Sequence, residues 1–475
     1  MSLKFGTSGL RGLSVDLEGP AAAVYAVAFA RTLRSAGLID EGDTILIGRD
    51  FRASSPSIAA IAGGALQREG FSVRDCGTVP TPALALMGLK MRVAALMVTG
   101  SHIPADRNGI KFYRPDGEIG KADELAIAEA AAVICAGAPI DATPAPLASL
   151  EHETRDLFLD RNLTLLPEGA LMGWTIGVYQ HSTVARDLFV EVLQKLGATV
   201  LALGRSEQFI PVDTEAVSCE TIDLLKSWTT EHGLDAIVSA DGDGDRPLLS
   251  DETGEPLRGD LLGLLAADFL GAKVAVTPVT SNSGLERQGE RRIERTRVGS
   301  PFVIAGMQAA RDAGETSVMG FEANGGTLTA TDFKVNGHVL SALPTRDSFL
   351  PTLAALSLAA TRRLSLSALA RLYALPVALS DRLEQFPTET SAALMAHLRS
   401  GEAALAGFLA PLGKPVSVSD IDGLRVTLES GAIIHFRPSG NAPEMRCYVE
   451  AEDEAVARRL LAEGLDLIRA FAKTR

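Results

Sequence analysis

The chain has 475 residues, more than one hydrophobic core usually serves, so its length allows roughly three to four domains. Apolar residues make up 46 % and charged residues 22 %, which excludes a disordered chain. With 45 Lys and Arg against 59 Asp and Glu, the net charge of −14 excludes the basic footprint of a nucleic-acid binder, so an anionic ligand must be held by local cations.

In chain order, 21–36 is an amphipathic run closed by Gly37, 44–47 a short strand, 55–69 helical and 71–75 again a strand. The apolar run 93–98 completes a βαβ alternation that predicts a mixed sheet with helices on both faces, over residues 1–147. Pro139, Pro144 and Pro146 punctuate an Ala-rich linker. The pattern then restarts over 148–255, with a strand at 175–178, a helix at 183–196 and strands at 199–203 and 236–240. A third unit, 256–372, reads as a helix at 260–270, a strand at 273–276, a helix at 301–313 and a strand at 317–320. Residues 373–475 change character: a helix at 388–406, strands at 424–428, 432–436 and 446–451, and a helix at 454–473 predict a small α+β domain.

The cysteines, Cys76, Cys135, Cys219 and Cys447, show no C-x-x-C spacing and read as buried or partly buried free thiols. No signal-peptide pattern opens the sequence, and the apolar stretch 261–272 carries Asp268. A cytoplasmic protein with no membrane or nucleic-acid partner is expected.

Two stretches carry chemistry. Thr99-Gly100-Ser101-His102-Ile103-Pro104 follows a buried strand and presents a serine, a weak nucleophile that needs a base, a metal or covalent phosphorylation. No G-x-S-x-G elbow surrounds it, which argues against acyl transfer. In Asp241-Gly-Asp-Gly-Asp245 the carboxylates alternate with glycine, so a tightly curved backbone can turn Asp241, Asp243 and Asp245 toward one hard cation. An EF-hand loop fails on backbone grounds, because Arg246 replaces its obligatory glycine and Pro247 follows. Residues 247–250 with the turn 251–254 read as a hairpin. A nucleophile and a metal site together suggest phosphoryl transfer, with Arg246 facing the transferring group. The bland alternatives are a Gly-Ser turn and a solvated acidic loop.

With Phe5-Gly-Thr-Ser-Gly-Leu-Arg-Gly12, Asn108-Gly-Ile-Lys111, Gly320-Phe-Glu-Ala-Asn-Gly-Gly326 and Arg437-Pro-Ser-Gly-Asn-Ala-Pro443, these stretches resemble the α-D-phosphohexomutase superfamily over nearly the whole chain. The resemblance implies three similar mixed-sheet α/β domains and a smaller α+β C-terminal domain around a central cleft. It also implies that Ser101 is carried as phosphoserine and ligates Mg2+ with Asp241, Asp243 and Asp245. His102 and Lys111 would bind phosphoryl oxygens or move protons, and Arg11, among glycines, would approach the ligand. Glu322 and Asn324 would read sugar hydroxyls, with Asn324 able to donate and to accept. Arg437, Ser439, Gly440 and Asn441 would clamp the non-reacting phosphate, with Arg446 a helper or an ion-pair residue. Arg297 stands where the family commonly has a substrate-facing lysine.

The chain departs from the pattern at Asn324 and Gly326, where serine and histidine are common, so an acid/base candidate is missing; it departs also at Ser300, where histidine is frequent, and at Asn441-Ala442, where the family more often has Thr-Glu. The implied activity interconverts hexose 1- and 6-phosphates of mannose or glucose, primed by a hexose 1,6-bisphosphate, with a phosphosugar as partner and the oligomeric state open. An amino-sugar phosphate mutase, a metal-dependent phosphosugar phosphatase and a non-catalytic phosphosugar-binding protein are the alternatives.

Overall fold

The computed structural model describes residues 3–6, 9–439 and 443–474. In the first sheet, Thr44–Arg49, Ser72–Thr78 and Ala94–Val98 run parallel, and Arg107–Arg114 returns antiparallel beside Ala94–Val98. Helices Ala22–Ser35, Ser55–Arg68 and Lys121–Ala136 share one apolar core on this sheet, while Thr81–Met91 packs into a larger core continuous with the second and third units. The Pro-rich segment around 143–147 lies against helix Ser55–Arg68, where Ala145 N donates to Ala60 O, and the edge strand Ala148–Ser149 joins this first sheet.

The second sheet orders Thr199–Arg205, Thr175–His181, Ala236–Ala240 and Pro247–Ser250; the third orders Arg292–Thr296, Val274–Pro278, Val318–Phe321, Thr327–Thr329 and Leu343–Asp347. All three share one device. A fully buried parallel strand ends in a loop and the chain returns antiparallel beside it: Ala94–Val98 to Arg107–Arg114, Ala236–Ala240 to Pro247–Ser250, and Val318–Phe321 to Thr327–Thr329. The serine loop, the acidic loop and the Glu322 loop are the turns of these equivalent hairpins, at strand C-terminal ends where open α/β sheets place ligands.

The last unit is a wholly antiparallel sheet, Val377–Leu383, Met445–Ala451, Ile433–Pro438, Leu424–Leu428 and Pro415–Ser419, with its own core under helix Glu454–Lys473. The layout is therefore three mixed α/β units followed by a smaller α+β one.

The structure corrects several local expectations. Gly401, at φ 153°, splits the helix predicted over 388–406 into Thr388–Leu398 and Glu402–Leu409. The helix predicted from 183 begins at Arg186, because Thr183 donates through its hydroxyl to Asp241 O and Val184 N donates to Gly242 O. Those residues brace the acidic loop instead. Strand 247–250 does lead into a turn at 251–254, but its main partner is Ala236–Ala240, so the acidic loop is itself a hairpin turn. Cys76 and Cys447 are buried free thiols, whereas Cys135 and Cys219 are exposed, lying on the outer sides of helices that cover one face only. Among the described residues no helix is long and apolar enough to cross a membrane.

Candidate active site

Ser101 sits where Ala94–Val98 ends, in the left-handed region at φ 53°, which few side chains adopt without support. The support is local: Thr99 Oγ1 accepts from Ser101 N at 2.8 Å and itself donates to the buried Asp50 at 2.7 Å. The strain turns the hydroxyl across to the second unit, where Ser101 Oγ donates to Asp241 Oδ2 at 2.6 Å. His102 Nδ1 lies 3.3 Å from the same Oγ and accepts from Arg246 Nη1 at 3.0 Å. Burial first, and then Arg246, push the His102 pKa down to about 3, so its imidazole is neutral and its Nε2 carries the proton.

Glycines let the acidic loop fold back on itself. Gly244 takes φ 70°, and Asp241 Oδ1 accepts from Asp245 N and Arg246 N. Asp241, Asp243 and Asp245 are fully buried, with oxygens within 4.8 Å of one another. Burial and then the two neighbouring carboxylates push Asp241 well above the ordinary carboxyl range. For Asp243 burial acts in the same direction, but the Lys111 ion pair overrides it and holds the group well below that range.

Three cations answer the three carboxylates. Lys111 Nζ lies 2.6 Å from Asp243 Oδ2 and 2.5 Å from Asp245 Oδ2; Arg346 reaches Asp245 Oδ2 at 2.9 and 3.1 Å; Arg246 Nε stands 3.9 Å from Asp241 and 3.8 Å from Asp245. Asp243 Oδ1 and Asp245 Oδ1 are buried without a hydrogen-bond partner. With the Ser101 hydroxyl they form an all-oxygen donor set, which fits a hard divalent cation.

The third hairpin adds Glu322, 4 % exposed, whose Oε2 accepts from Arg346 Nη1 at 2.8 Å. Arg346 thus ties the Glu322 loop to the acidic loop. Gly326 explains one departure from the family pattern: a Cβ there would lie 2.6 Å from Arg346 Cδ, so the missing side chain is the space the arginine occupies. Asn324 Oδ1 accepts from Gly326 N, which leaves chiefly its amide NH2 for a sugar and narrows the expected donor-and-acceptor role to donation. Ser300 donates to Glu118 rather than facing the carboxylate cluster.

Arg11 is brought to the serine loop, where its Nη1 donates to Thr99 O at 2.8 Å; burial pushes its pKa down to about 10. Gly109 makes this possible, since a Cβ there would lie 2.2 Å from Arg11 Nη1.

Arg437 pairs with Asp422 at 3.0 Å, and Asp422 also accepts from Val298 N of the third unit. Ser439 N donates to Glu444 O, and Arg446 pairs with Glu444. Gly440 and Asn441 lie outside the described residues. Arg297 is exposed, with its guanidinium 5.9 Å from the Phe302 ring, apart from the serine and acidic loops.

Sequence reasoning missed Arg346, Asp50, Arg52 and the acidic pair Asp213 and Glu215. Asp213 interacts electrostatically with His102 and Arg246, and both acids line a cavity of about 580 Å3 shared with Arg382, Arg446 and Tyr448 of the last unit. Asp50-Phe-Arg52 had one available signal, an acid and a base just past a buried strand. Arg346 had none, since its partners are 101 and 24 residues away.

A serine hydroxyl on a carboxylate triad, flanked by cations at the ends of three equivalent hairpins, defines an α/β enzyme of phosphoryl transfer. Sequence profiles of phosphoglucomutase/phosphomannomutase match as the alpha/beta/alpha domain I over residues 2–134, the alpha/beta/alpha domain III over 258–375 and the C-terminal domain over 383–467. The chain is 53 % identical over 471 residues to a phosphomannomutase of Sinorhizobium fredii, covering 98 % of this chain and 99 % of that one. It is 40 % identical to a phosphomannomutase of Salmonella muenchen, covering 98 % and 96 %. A putative phosphomannomutase from Thermus thermophilus superimposes with a TM-score of 0.77 at 21 % identity, covering 99 % of both chains. The chain belongs to the phosphoglucomutase/phosphomannomutase family, within the α-D-phosphohexomutase superfamily, and is a phosphohexomutase.

Proposed function

We propose that the enzyme interconverts the 1- and 6-phosphates of mannose and glucose, with Ser101 as phosphoryl carrier and a hexose 1,6-bisphosphate as both intermediate and priming activator. The observation that carries this reading is the Ser101 hydroxyl held 2.6 Å from Asp241 at the edge of the carboxylate triad.

Asp241, Asp243, Asp245 and Ser101 would hold Mg2+, which when bound supplies Lewis-acid neutralisation of phosphoryl charge. Arg246, held across Ser101 by its contacts to His102 and the triad, stabilises the charge that develops as the phosphoryl group leaves the serine. Lys111 adds a cation on Asp243 and Asp245. Arg11 completes the positive wall at Thr99.

Glu322, fixed by Arg346, accepts from a sugar hydroxyl, and the Asn324 amide donates to its neighbour. Such a buried pair discriminates strongly, because an unmatched hydroxyl leaves polar groups unpaired. Arg437, Ser439, Gly440 and Asn441 hold the phosphate that is not reacting, with Arg446 and Arg297 as further cations for the phosphosugar. The bisphosphate must turn over between two chemically similar orientations, and the 580 Å3 cavity lined by Asp213 and Glu215 of the second unit and by Arg446 and Tyr448 of the last is space between those units that such a turn could use. The enzyme is read as cytoplasmic, with a phosphosugar as its partner.

The test is phosphorus NMR with mannose 1-phosphate, Mg2+ and a trace of glucose 1,6-bisphosphate, repeated with glucose 1-phosphate. A growing hexose 6-phosphate signal in the wild type, absent in Ser101→Ala while sugar-phosphate binding stays within about threefold, supports the phosphoserine route. Full turnover by Ser101→Ala would refute it, and release of inorganic phosphate would favour a phosphatase.

A further inference from the structure

Two adjacent residues of the first unit, Phe51 and Arg52, cross with two residues of the second. The Arg52 Cζ lies 3.8 Å from the Phe209 ring centroid, and the Arg186 Cζ lies 4.1 Å from the Phe51 ring centroid. Each arginine is also locked to its own unit. Arg52, 1 % exposed, donates through Nη1 to Pro104 O at 2.7 Å and Arg107 O at 3.0 Å, and through Nη2 to Ser101 O at 2.9 Å and Ile103 O at 2.6 Å. Arg186 Nη1 donates to His181 O and Ser206 O.

Three of the four carbonyls on Arg52, those of Ser101, Ile103 and Pro104, belong to the serine loop, and the fourth, on Arg107, opens the strand that follows it. A planar guanidinium with fixed donor directions sets their relative positions, where an ammonium would not. Asp50 completes the hold by accepting from Thr99 Oγ1, Ser55 Oγ and Arg52 N.

Phe209 carries the arrangement across the interface. A Cβ on Gly242, inside the acidic loop, would lie 2.8 Å from the Phe209 ring and 2.9 Å from Ser101 O; a Cβ on Gly100 would lie 2.6 Å from Arg52 Cζ. The ring is therefore wedged between the guanidinium that shapes the serine loop and the backbone of the acidic loop.

We propose that Arg52 and Phe209 form a positioning clasp that sets the Ser101 oxygen in register with the carboxylate triad, so that phosphoryl transfer is fast only when the first and second units are docked through this stack. The proposal rests on Ser101 as the phosphoryl carrier. Neither residue touches substrate; both act through the serine loop. A displacement of the serine of the order of 1 Å costs transfer rate, not ground-state sugar binding.

The experiment compares Phe209→Ala, Phe209→Trp, Arg52→Lys and Ser101→Ala in the full chain. It measures kcat and KM for mannose 1-phosphate and the phosphorus resonance of the phosphorylated enzyme. Phe209→Ala is expected to lower kcat by about tenfold to a hundredfold with KM within about twofold, and to shift or broaden the phosphoserine resonance. Phe209→Trp, which keeps an aromatic face over the guanidinium, is expected to recover kcat to within about threefold of wild type. Arg52→Lys should lose kcat like Phe209→Ala. Wild-type kcat in Phe209→Ala, or a loss confined to KM, overturns the clasp while leaving the phosphoserine reading intact. Turnover by Ser101→Ala overturns that reading instead.

Discussion

Arg346→Met removes a guanidinium that is 3 % exposed and makes three hydrogen bonds to carboxylates, two to Asp245 and one to Glu322. The partners are not left equally. Asp245 keeps Lys111 at 2.5 Å, but Glu322 has no other side-chain partner among the described residues and stays buried. Breaking a buried pair by removing one partner costs about 3–5 kcal/mol, mostly as an uncompensated charge. The loss should therefore trace to Glu322. Urea unfolding of wild type, Arg346→Met, Glu322→Gln and the double variant measures the coupling. The double variant is expected to be at least about 1 kcal/mol more stable than Arg346→Met, because glutamine carries no charge to strand. Arg346→Lys should recover little, since one ammonium cannot bridge both carboxylates as the fork does. A loss below about 1 kcal/mol in Arg346→Met, or no recovery from Glu322→Gln, would refute the bridging role.

Two further outcomes follow from the same site and from the buried histidines. Lys111 neutralises Asp243 and Asp245 through their Oδ2 atoms, while a cation would use their free Oδ1 atoms, so Lys111→Met leaves more negative charge for the metal and should tighten Mg2+ binding by about tenfold in calorimetric titration with the metal alone while lowering turnover; weaker binding would contradict that charge competition. His435 and His181 are buried, and burial pushes each pKa from its ordinary 6.5 to about 4. Below pH 6.5 only the unfolded chain gains these protons, so their contribution to stability is complete above pH 6.5 and falls by about 1.4 kcal/mol per pH unit for each histidine down to about pH 4. His435→Gln can still donate to Asp422 O, and it should flatten the acid limb of denaturant midpoints between pH 6.5 and 5; an unchanged slope would rule the histidine out.

The chemistry-bearing loops were legible because their composition is local. Ser101 after a buried run, and three aspartates spaced by glycine, announce what a strand end can present whatever the rest of the chain does. Periodicity likewise placed part of each of the four units, such as Ala22–Ser35, Thr44–Arg49, Ala236–Ala240 and Glu454–Lys473, but helices Thr81–Met91, Lys121–Ala136, Glu151–Leu163, Cys219–His232 and Phe349–Arg362 went unread, and elsewhere one backbone position decided. Gly401 broke a helix whose side-chain pattern continued through it, and Thr183 and Val184 left theirs to brace the acidic loop.

Local composition alone specifies the turns that carry oxygen ligands, the nucleophile and the cations next to them. The distant groups that complete them are chosen by the packing of the units. Arg346 links Asp245 to Glu322 through the space that Gly326 leaves, Arg52 gathers four carbonyls from the serine loop and the start of the strand after it, and Phe209 seats that loop on the acidic one. Lys111, expected beside a phosphoryl group, lies between two aspartates 132 and 134 residues away. These contacts join separate hairpins, and a buried charge takes its partner from whatever the packing of three sheets brings within 3 Å, which no local pattern encodes.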